Sequence, residues 1–402
     1  MKKLMILGAG VYQVPLIRQA RAMGFTTVVV SINGNYPGFA LADKIYNLDT
    51  RDYEGILAAA RAEQIDGICT AGTDVAVRAI GYVCSQMKLP GIGQEAAQIV
   101  TNKKKMKEAF MRAGVSTAAF HTVKSFEQAQ EAAHALGYPV VLKIVDSSGS
   151  RGIIKAGRPE ELEKAYGEAA AYTSMPYLLV EEFIDAEEIG IDAFVIDHEL
   201  CLMLPHDKFI CQADGVTIPM GHHFPYRTSD RVLQELTRQM QLVINATGMN
   251  NCPVNADVFV KGSRVWVVEA GGRSGATCIP ELISMHCGFN YYEQMIYAAL
   301  GVAVDFTYEN TRPCMAKLIF SNRDGTITSM KTEVIEQLEK DGINVRLDYS
   351  VGDRVSKVKN GTSRIGHVIA ATDREAVLDE IAGRVRENIW IDGQNLEALW
   401  NE

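Results

Sequence analysis

The first hundred residues alternate short apolar runs with amphipathic segments, and this alternation restricts what the chain can fold into. An apolar strand is predicted at 4–7, a glycine turn follows at 8–10, and further strands are predicted at 26–32 and 66–71. The intervening segments have the apolar spacing of helices. Strands and helices that alternate with short connections are typical of a parallel, doubly wound sheet. We therefore predict a Rossmann-like α/β domain at residues 1–100.

The turn Gly8-Ala9-Gly10 resembles a shortened dinucleotide-binding fingerprint. Gln13 stands where that fingerprint requires a third glycine, and no acidic residue ends the second strand. Both features are needed to bind a nicotinamide dinucleotide. A Rossmann scaffold without this cofactor is favoured, and an oxidoreductase stays as an alternative.

Charge and cysteine content exclude several classes of partner. The 402 residues carry a net charge of −9, and the eight cysteines include no C-x-x-C pair. An acidic chain without a basic stripe is not typical of a nucleic-acid or anionic-membrane binder. Scattered cysteines indicate reduced thiols, and no apolar run approaches the ~18 residues of a membrane span. We expect a cytoplasmic protein that binds neither nucleic acid nor membrane.

After residue 100 the pattern changes to α+β with mainly antiparallel strands, first at 101–308 and then in a smaller unit at 309–402. The segment VVLKIVDSSGSRGI places Lys143 at the end of an apolar strand. The glycine- and serine-rich loop that follows can bind an anion through its backbone N–H groups. A flexible surface loop beside a solvated lysine is the alternative. The loop residues proposed to bind phosphate are Ser148, Gly149 and Ser150.

Two acidic residues are predicted to face each other across a hairpin. If the hairpin turn has three residues, 262–264, Asp257 lies directly opposite Glu269. Facing like charges destabilise a strand pair, so a divalent cation between them is a better explanation. Oxygen ligands combined with substrate phosphates suit Mg²⁺. The alternative is a two-residue turn, which puts the two side chains on opposite faces.

Three further features are candidates for anion or substrate contacts. Lys103 is one of four lysines at a helix N-terminus, where cations are unfavourable unless an anion binds; a solvated basic face is the alternative. Arg273 lies among glycines that leave its guanidinium accessible, although a structural ion pair is equally compatible. The segment 206–228 is long for a connection, which favours a substrate loop. Its pair His222-His223 is weak evidence for a metal.

Taken in order, these segments resemble the ATP-grasp superfamily over nearly the whole chain. NKKKMKEAF, PVVLKIVDSSGSRGI, LLVEEFIDAEEIGIDAF and VNADVF…VWVVEAGGR are similar to its two lysine motifs, its adenine hinge and its metal carboxylates. GHHFP and SRIGHVIA are similar to segments of the carbamoyl-phosphate-synthetase-like branch, which includes amino-acid (dipeptide) ligases. The resemblance implies a Rossmann-like pre-ATP-grasp domain, a two-lobed ATP-grasp domain with a lid lobe at about 115–187, and a small C-terminal subdomain.

The resemblance also implies a function and a role for each motif residue. The family joins a carboxylate to an amine through an acyl phosphate, using ATP and Mg²⁺, with Mn²⁺ as a substitute. At least one substrate is expected to be an amino acid, and a homodimer is expected because members are often dimers. A biotin-carboxylase-like or other acyl-phosphate-forming enzyme, or a non-catalytic ATP-binding regulator, is the alternative. The implied roles are ATP binding for Lys103, Lys143, Ser148, Gly149, Ser150, Glu182, Phe183, Ile184 and Glu188, metal binding for Asp257 and Glu269, and catalysis for Arg273 and His222.

The chain departs from the family pattern at two positions. Asn102 replaces the aspartate that usually precedes the first lysine. Gly271 replaces the asparagine that usually follows the second metal carboxylate by two residues, which removes a ligand. Asn255 lies two residues before Asp257, on the same face of its strand. We hypothesise that Asn255 supplies the missing metal ligand.

Overall fold

The computed structural model describes residues 2–145, 152–213, 216–359 and 361–400, and the strands in these ranges form four sheets. The first sheet is parallel, with the strand order β3-β2-β1-β4. Its edge strand β3 was not predicted, because its residues are mostly exposed and give no apolar signal. The elements of this part are β1 Lys3–Leu7, α1 Val14–Ala22, β2 Thr26–Ser31, β3 Lys44–Asn47, α2 Tyr53–Glu63, β4 Gly67–Cys69, α3 Val77–Met87 and α4 Gln94–Val100.

A helix and a small antiparallel sheet follow the first domain. The helix α5, Lys103–Ala113, begins at Asn102, whose side chain accepts a hydrogen bond from the Lys105 amide, and ends at Gly114 in a left-handed conformation. The second sheet has the order β5-β8-β6-β7 and packs against two helices. Its elements are β5 Phe120–Val123, α6 Phe126–Leu136, β6 Val140–Lys143, β7 Ile153–Ala156, α7 Pro159–Ala171 and β8 Leu178–Glu182.

The third sheet has eight strands in the order β13-β12-β9-β10-β11-β14-β18-β16. Strands from both sides of residue 308 share this sheet, so the proposed boundary there does not separate two sheets; the domain boundaries stay predictions. The strands are β9 Glu187–Ile196, β10 Glu199–Ala213, β11 Val216–Phe224, β12 Cys252–Lys261, β13 Arg264–Gly271, β14 Cys314–Ile319, β16 Asn344–Leu347 and β18 Gly366–Ala370. The helices of this part are α8 Asp230–Thr247, α9 Ile279–Cys287 and α10 Tyr291–Ala299.

The fourth sheet, in the order β17-β15-β19-β20, lies in the C-terminal part. Its elements and the neighbouring helices are β15 Gly325–Met330, α11 Glu333–Lys340, β17 Arg354–Val355, α12 Glu375–Arg386, β19 Ile389–Ile391, β20 Gln394–Asn395 and α13 Leu396–Trp400. The predicted fold class is confirmed: a parallel α/β unit is followed by α+β units with antiparallel sheets. No helix in the described ranges is both long and apolar enough to cross a membrane.

The sequence suggested a loop at 206–228, but this segment is not a loop. Most of it belongs to the paired strands β10 and β11, with Asp207 opposite His223 and Lys208 opposite His222. The polar residues that suggested a loop alternate between the two faces of this hairpin. His206 and Lys208 therefore share a face with His222, whereas Asp207 lies on the other face with His223.

Helix α5 contributes a buried lysine to the contact with the second sheet. Lys107 is 1% exposed, and its ammonium donates to Thr117 Oγ1 at 2.8 Å and to the Ala118 carbonyl at 2.9 Å. The carboxylate of Glu181 lies 3.5 Å away. Burial lowers the pKa of Lys107 to about 8, although the charge of Glu181 opposes this shift.

The close approach of β11 to β14 predicts a large effect of a small substitution. A methyl group at Gly221 would lie 1.9 Å from the Ala316 carbonyl oxygen. We expect Gly221→Ala to lower the free energy of unfolding in urea by about 1–3 kcal/mol because the backbones must separate. Gly167→Ala is the control: this exposed position in α7 has no described atom within 4 Å of the added methyl, and the change should stabilise the helix by about 0.5–1 kcal/mol. Equal effects would contradict the packing argument.

The buried ammonium of Lys107 predicts a pH-dependent stability. Its pKa rises on unfolding from about 8 to the ordinary 10.5, so between these values the unfolded chain binds more protons. The contribution of Lys107 to the free energy of unfolding therefore increases as the pH rises through this window. We expect the difference in unfolding free energy, wild type minus Lys107→Met, to grow by about 3 kcal/mol from pH 7.5 to 10.5. Lys105→Met, an exposed change on the same helix, controls for lost charge; a flat difference would contradict the prediction.

Candidate active site

One face of the eight-stranded sheet collects polar side chains from four neighbouring strands. Residues two apart on a strand share a face, and the register aligns these positions between strands. Asp257 of β12 lies opposite Glu269 of β13 on one side and Gly190 of β9 on the other. Asn255, two residues earlier, lies between Gly271 and Asp192. The predicted carboxylate pair and the proposed substitute ligand therefore lie in adjacent rows.

Asp257 and Glu269 face each other, but not because of the three-residue turn that was predicted. The turn has two residues rather than three, because Lys261 pairs with Arg264. A two-residue turn alone would place Asp257 opposite Val268. A β-bulge between the pairs Asp257–Glu269 and Val258–Val267 adds one residue to β13 and restores the facing. The expectation was right in outcome and wrong in its assumed turn length.

A lysine lies against each of these carboxylates. Lys103 Nζ is 2.5 Å from Glu269 Oε2, and Lys208 Nζ is 2.8 Å from Asp257 Oδ1 and 2.5 Å from Glu188 Oε1. The charge of Lys103 lowers the pKa of Glu269 to about 2, against the opposing effect of burial. Burial lowers the pKa of Lys208, but its two carboxylates outweigh this and raise the pKa above the ordinary value. Lys208 was not predicted as a site residue, because it lies in the segment taken for a loop.

The donor set fits a magnesium ion bound together with phosphates. Among the described residues, no three side chains of His, Cys, Asp or Glu form a cation site by themselves. Mg²⁺ usually takes only one or two carboxylates from the protein and completes its shell with substrate phosphates and water. Asp257 and Glu269 supply such a pair.

The second predicted ATP lysine lies at the second sheet. Lys143 Nζ is 2.9 Å from Glu181 Oε2, and Glu181 also faces the buried Lys107. Burial raises the pKa of Glu181, but the two lysines outweigh it and lower the pKa below its usual range. Glu181 was missed because it precedes the predicted hinge residues by one position, and its partners come from distant segments.

The predicted hinge residues 182–184 differ in whether their backbone N–H groups already form hydrogen bonds within the protein. The amide of Glu182 donates to the Ala119 carbonyl at 3.0 Å, and the amide of Phe183 donates to the Pro139 carbonyl at 3.1 Å. The Glu182 carboxylate in turn accepts from the Ala119 amide at 2.8 Å. In the described part of the chain, no hydrogen bond is formed by the Ile184 amide. This N–H group can therefore serve a base.

The predicted phosphate residues Ser148, Gly149 and Ser150 lie outside the described residues. The strands that flank their segment form a hairpin in which Lys143 pairs with Ile153. The Ile144 amide also donates to the Gly152 carbonyl at 3.2 Å. The flanks of this segment are therefore close together beside Lys143.

Arg273 lies at the end of the same sheet face. Its Nη1 is 2.5 Å from Asn255 Oδ1, and its Nε and Nη2 bind the carboxylate of Asp74 at 2.8 and 3.0 Å. The Asn255 amide nitrogen donates to Asp192 Oδ2 at 3.0 Å. Asn255 lies opposite Gly271, and its oxygen accepts a bond from Arg273. Its role as a metal ligand stays a prediction.

His222 is buried beside a second histidine. Its ring meets the ring of His206 edge to face, with centroids 4.8 Å apart, and His206 Nε2 lies 3.1 Å from Asp192 Oδ2. Burial holds the pKa of His222 well below its usual range, so the imidazole is neutral. No described residue forms a hydrogen bond with its Nδ1. Gly190 leaves the space for His206, since a methyl there would lie 2.1 Å from the His206 ring.

Comparisons with known proteins agree with this arrangement. Residues 136–281 match the ATP-grasp domain family. A formate-dependent phosphoribosylglycinamide formyltransferase of Thermococcus kodakarensis is 24% identical over 313 residues, which cover 75% of this chain and 72% of that protein. A phosphoribosylglycinamide synthetase structure from Anaerococcus prevotii is 27% identical with a TM-score of 0.82, covering 98% of this chain and all of that one.

Other solved structures share the fold at lower identity. An L-amino acid ligase from Bacillus licheniformis is 17% identical with a TM-score of 0.79, covering 98% of this chain and 99% of the other. A biotin carboxylase domain from Hydrogenobacter thermophilus, solved with MgADP, is 18% identical with the same TM-score, covering 100% and 97%. ATP and Mg²⁺, predicted from the sequence, are the cofactors typical of this group. Residues 136–281 therefore form an ATP-grasp domain, and the chain is similar to ATP-dependent ligases and synthetases that contain this domain.

Proposed function

We propose that the protein is an ATP-dependent carboxylate–amine ligase that forms an amide through an acyl phosphate, with an amino acid as at least one substrate. The observation that carries this proposal is the pair Asp257 and Glu269, which face each other with a lysine against each carboxylate. A structural sheet has no reason to hold two facing carboxylates. A site that binds a metal and phosphates needs both charges.

The proposed reaction has two steps that balance. A carboxylate oxygen attacks the γ-phosphorus of ATP, an O–P bond forms, and the bond to the β-phosphate oxygen breaks to release ADP. The amine nitrogen then attacks the acyl carbon, the C–O bond to phosphate breaks, and the amine loses a proton. Charge gathers on the transferring phosphoryl oxygens, so catalysis depends mostly on positioning and electrostatic stabilisation.

The chain's own residues take the roles that these steps require. Lys103 holds the ATP phosphates once Glu269 binds the metal, and Lys143 holds them from its position beside Glu181. Asp257 and Glu269 would hold Mg²⁺, which supplies neutralising charge to the phosphates. Asn255 would join them only by exchanging the bond that its Oδ1 accepts from Arg273 Nη1 for the metal. Residues 182–184 meet the adenine through the Ile184 amide and backbone carbonyls, and Glu188 binds the ribose. Ser148, Gly149 and Ser150, which lie outside the described residues, are the predicted phosphate contacts.

Two residues are proposed for the acyl end of the site. Arg273 steadies the oxyanion of the acyl phosphate with its guanidinium, which is planar and always charged. His222 is neutral because of its burial, and a neutral imidazole can donate or accept a hydrogen bond with the substrate. The cytoplasmic location and the homodimer stay predictions.

Relatives with this fold motivate the substrate class. The name of the Thermococcus relative specifies formate, a carboxylate, and a glycinamide, an amine. The Bacillus structure is an L-amino acid ligase. Both names pair a carboxyl group with an amino compound, and this is the class of substrate that we propose here.

The proposal predicts that amino acids stimulate ATP turnover. We expect pools of amino acids and small carboxylates, added with Mg²⁺ and ATP, to raise the release of ADP and phosphate together and to yield a new amide mass. Splitting the active pool then names the substrates. Release stimulated only by bicarbonate would favour the biotin-carboxylase-like alternative. Tight ATP binding without stimulation by any pool would contradict the ligase and favour a regulator.

The carboxylate pair predicts a specific loss of metal dependence. Asp257→Asn and Glu269→Gln should each abolish most ATP turnover and raise the Mg²⁺ concentration needed for half-maximal rate, because each removes a ligand. Asn255→Ala should raise this concentration more modestly if Asn255 is the substitute ligand; an unchanged Mg²⁺ dependence would reject that role. Asp185→Asn is the matched control, since it removes an exposed carboxylate paired with Lys261.

A further inference from the structure

The position where the chain departs from the family pattern is filled by another residue. Gly271 lacks the side chain expected two residues after Glu269. A methyl group at Gly271 would lie 2.9 Å from Oδ1 of Asp74. The carboxylate of Asp74 therefore occupies the space that a side chain at 271 would enter.

Both carboxylate oxygens of Asp74 contact Arg273, the residue proposed to stabilise the oxyanion of the acyl phosphate. Its two oxygens accept from Nε and Nη2 of Arg273 at 2.8 and 3.0 Å. The remaining terminal nitrogen, Nη1, donates to Asn255 Oδ1 at 2.5 Å and to the Ser274 carbonyl at 3.2 Å. Every nitrogen of the guanidinium thus has a partner, and the orientation of Arg273 is set by Asp74 and Asn255 together.

The backbone around Asp74 is fixed against the segment that carries Arg273. Asp74 lies between β4 and α3, and its carbonyl accepts from the Val77 amide at 3.1 Å. The Gly72 amide donates to the Ser274 carbonyl at 3.3 Å. Gly72 has a φ of +64°, and a methyl there would lie 3.0 Å from Cβ of Tyr12. The first domain therefore presents Asp74 to Arg273 in a defined position.

We propose that Asp74 is the positioning residue for Arg273 and takes the space of the side chain that Gly271 lacks, while the metal-ligand role of that side chain is the one assigned to Asn255. Asp74 and Gly271 form a matched pair: the glycine makes room for the carboxylate, and the carboxylate holds the arginine. Without Asp74 the guanidinium keeps only its Nη1 contacts and turns away from the acyl phosphate. This consequence for catalysis rests on the proposed function, whereas the hold on Arg273 does not.

The hold on Arg273 is tested without any substrate. Phenylglyoxal modifies arginine side chains, and peptide mass spectrometry gives the rate at Arg273. We expect Asp74→Ala to raise this rate several-fold and the double variant Asp74→Ala/Gly271→Asn to restore protection, since Nε and Cζ of Arg273 lie 3.9 Å from the methyl position at 271. Asp373→Asn is the matched control: it breaks an exposed pair with Arg227, 2.8 Å long, and should leave Arg273 unchanged.

Two outcomes of the labelling would overturn the proposal. An unchanged rate at Arg273 in Asp74→Ala would show that Asp74 does not hold the guanidinium. A raised rate that Gly271→Asn fails to lower would show that Asp74 does not replace a side chain at 271. Circular dichroism of each variant checks that the fold is retained.

The catalytic consequence is tested once a substrate pool is active. Asp74→Ala should lower kcat for ADP release by roughly ten- to a hundredfold, the range for losing hydrogen bonds between charged groups, while the KM for ATP stays unchanged. The double variant should recover a substantial part of kcat. A rise in the ATP KM alone would overturn the positioning role. If no pool is active, the ligase proposal fails, and the labelling result still decides whether Asp74 holds Arg273.

Discussion

The facing carboxylates of Asp257 and Glu269 set the charge balance of the whole site. Two like charges on paired strands repel, and a partly buried charge without a partner is strongly unfavourable. In the structure, Lys208 and Lys103 neutralise them one by one. Binding a divalent cation at these carboxylates would free Lys103, whereas Lys208 would keep its contact with Glu188 at 2.5 Å. The freed lysine then needs an anion. We therefore expect the metal and the nucleotide phosphates to bind together, because each removes the electrostatic penalty that the other creates.

This balance depends on strand register and not on any single motif. A one-residue slip moves every side chain of a strand to the other face. The two-residue turn between β12 and β13 would have caused that slip at Glu269, and the bulge between the pairs Asp257–Glu269 and Val258–Val267 reverses it. Further along the face, Gly190 leaves the space in which His206 packs. Backbone irregularities and missing side chains therefore determine where the charges meet.

The local features of the fold could be predicted from the sequence, and the long-range pairs could not. Periodicity and glycine turns identified the parallel unit, and the helix that begins at Lys103 was expected. The hairpin of β10 and β11 was taken for a loop because its polar residues belong to a site and not to solvent, and this error concealed Lys208. Asp74 lies 199 residues from Arg273, so no local pattern connects them. The only sign of that pair in the sequence was the unexpected Gly271.

Substrate selection is expected to depend on residues outside the ATP motifs. A small cavity is lined by three segments that are distant in sequence: the turn after β1, the residues after Arg273 and the segment before β18. The Arg364 guanidinium lies 5.0 Å from the Tyr12 ring centroid, and its Nε binds Asp348 at 2.7 Å. Burial raises the pKa of the nearby Glu281. The residues predicted to bind ATP come from short motifs on two sheets, whereas this cavity combines residues that are distant in sequence. We therefore expect relatives with the same ATP chemistry to differ in substrate through these segments.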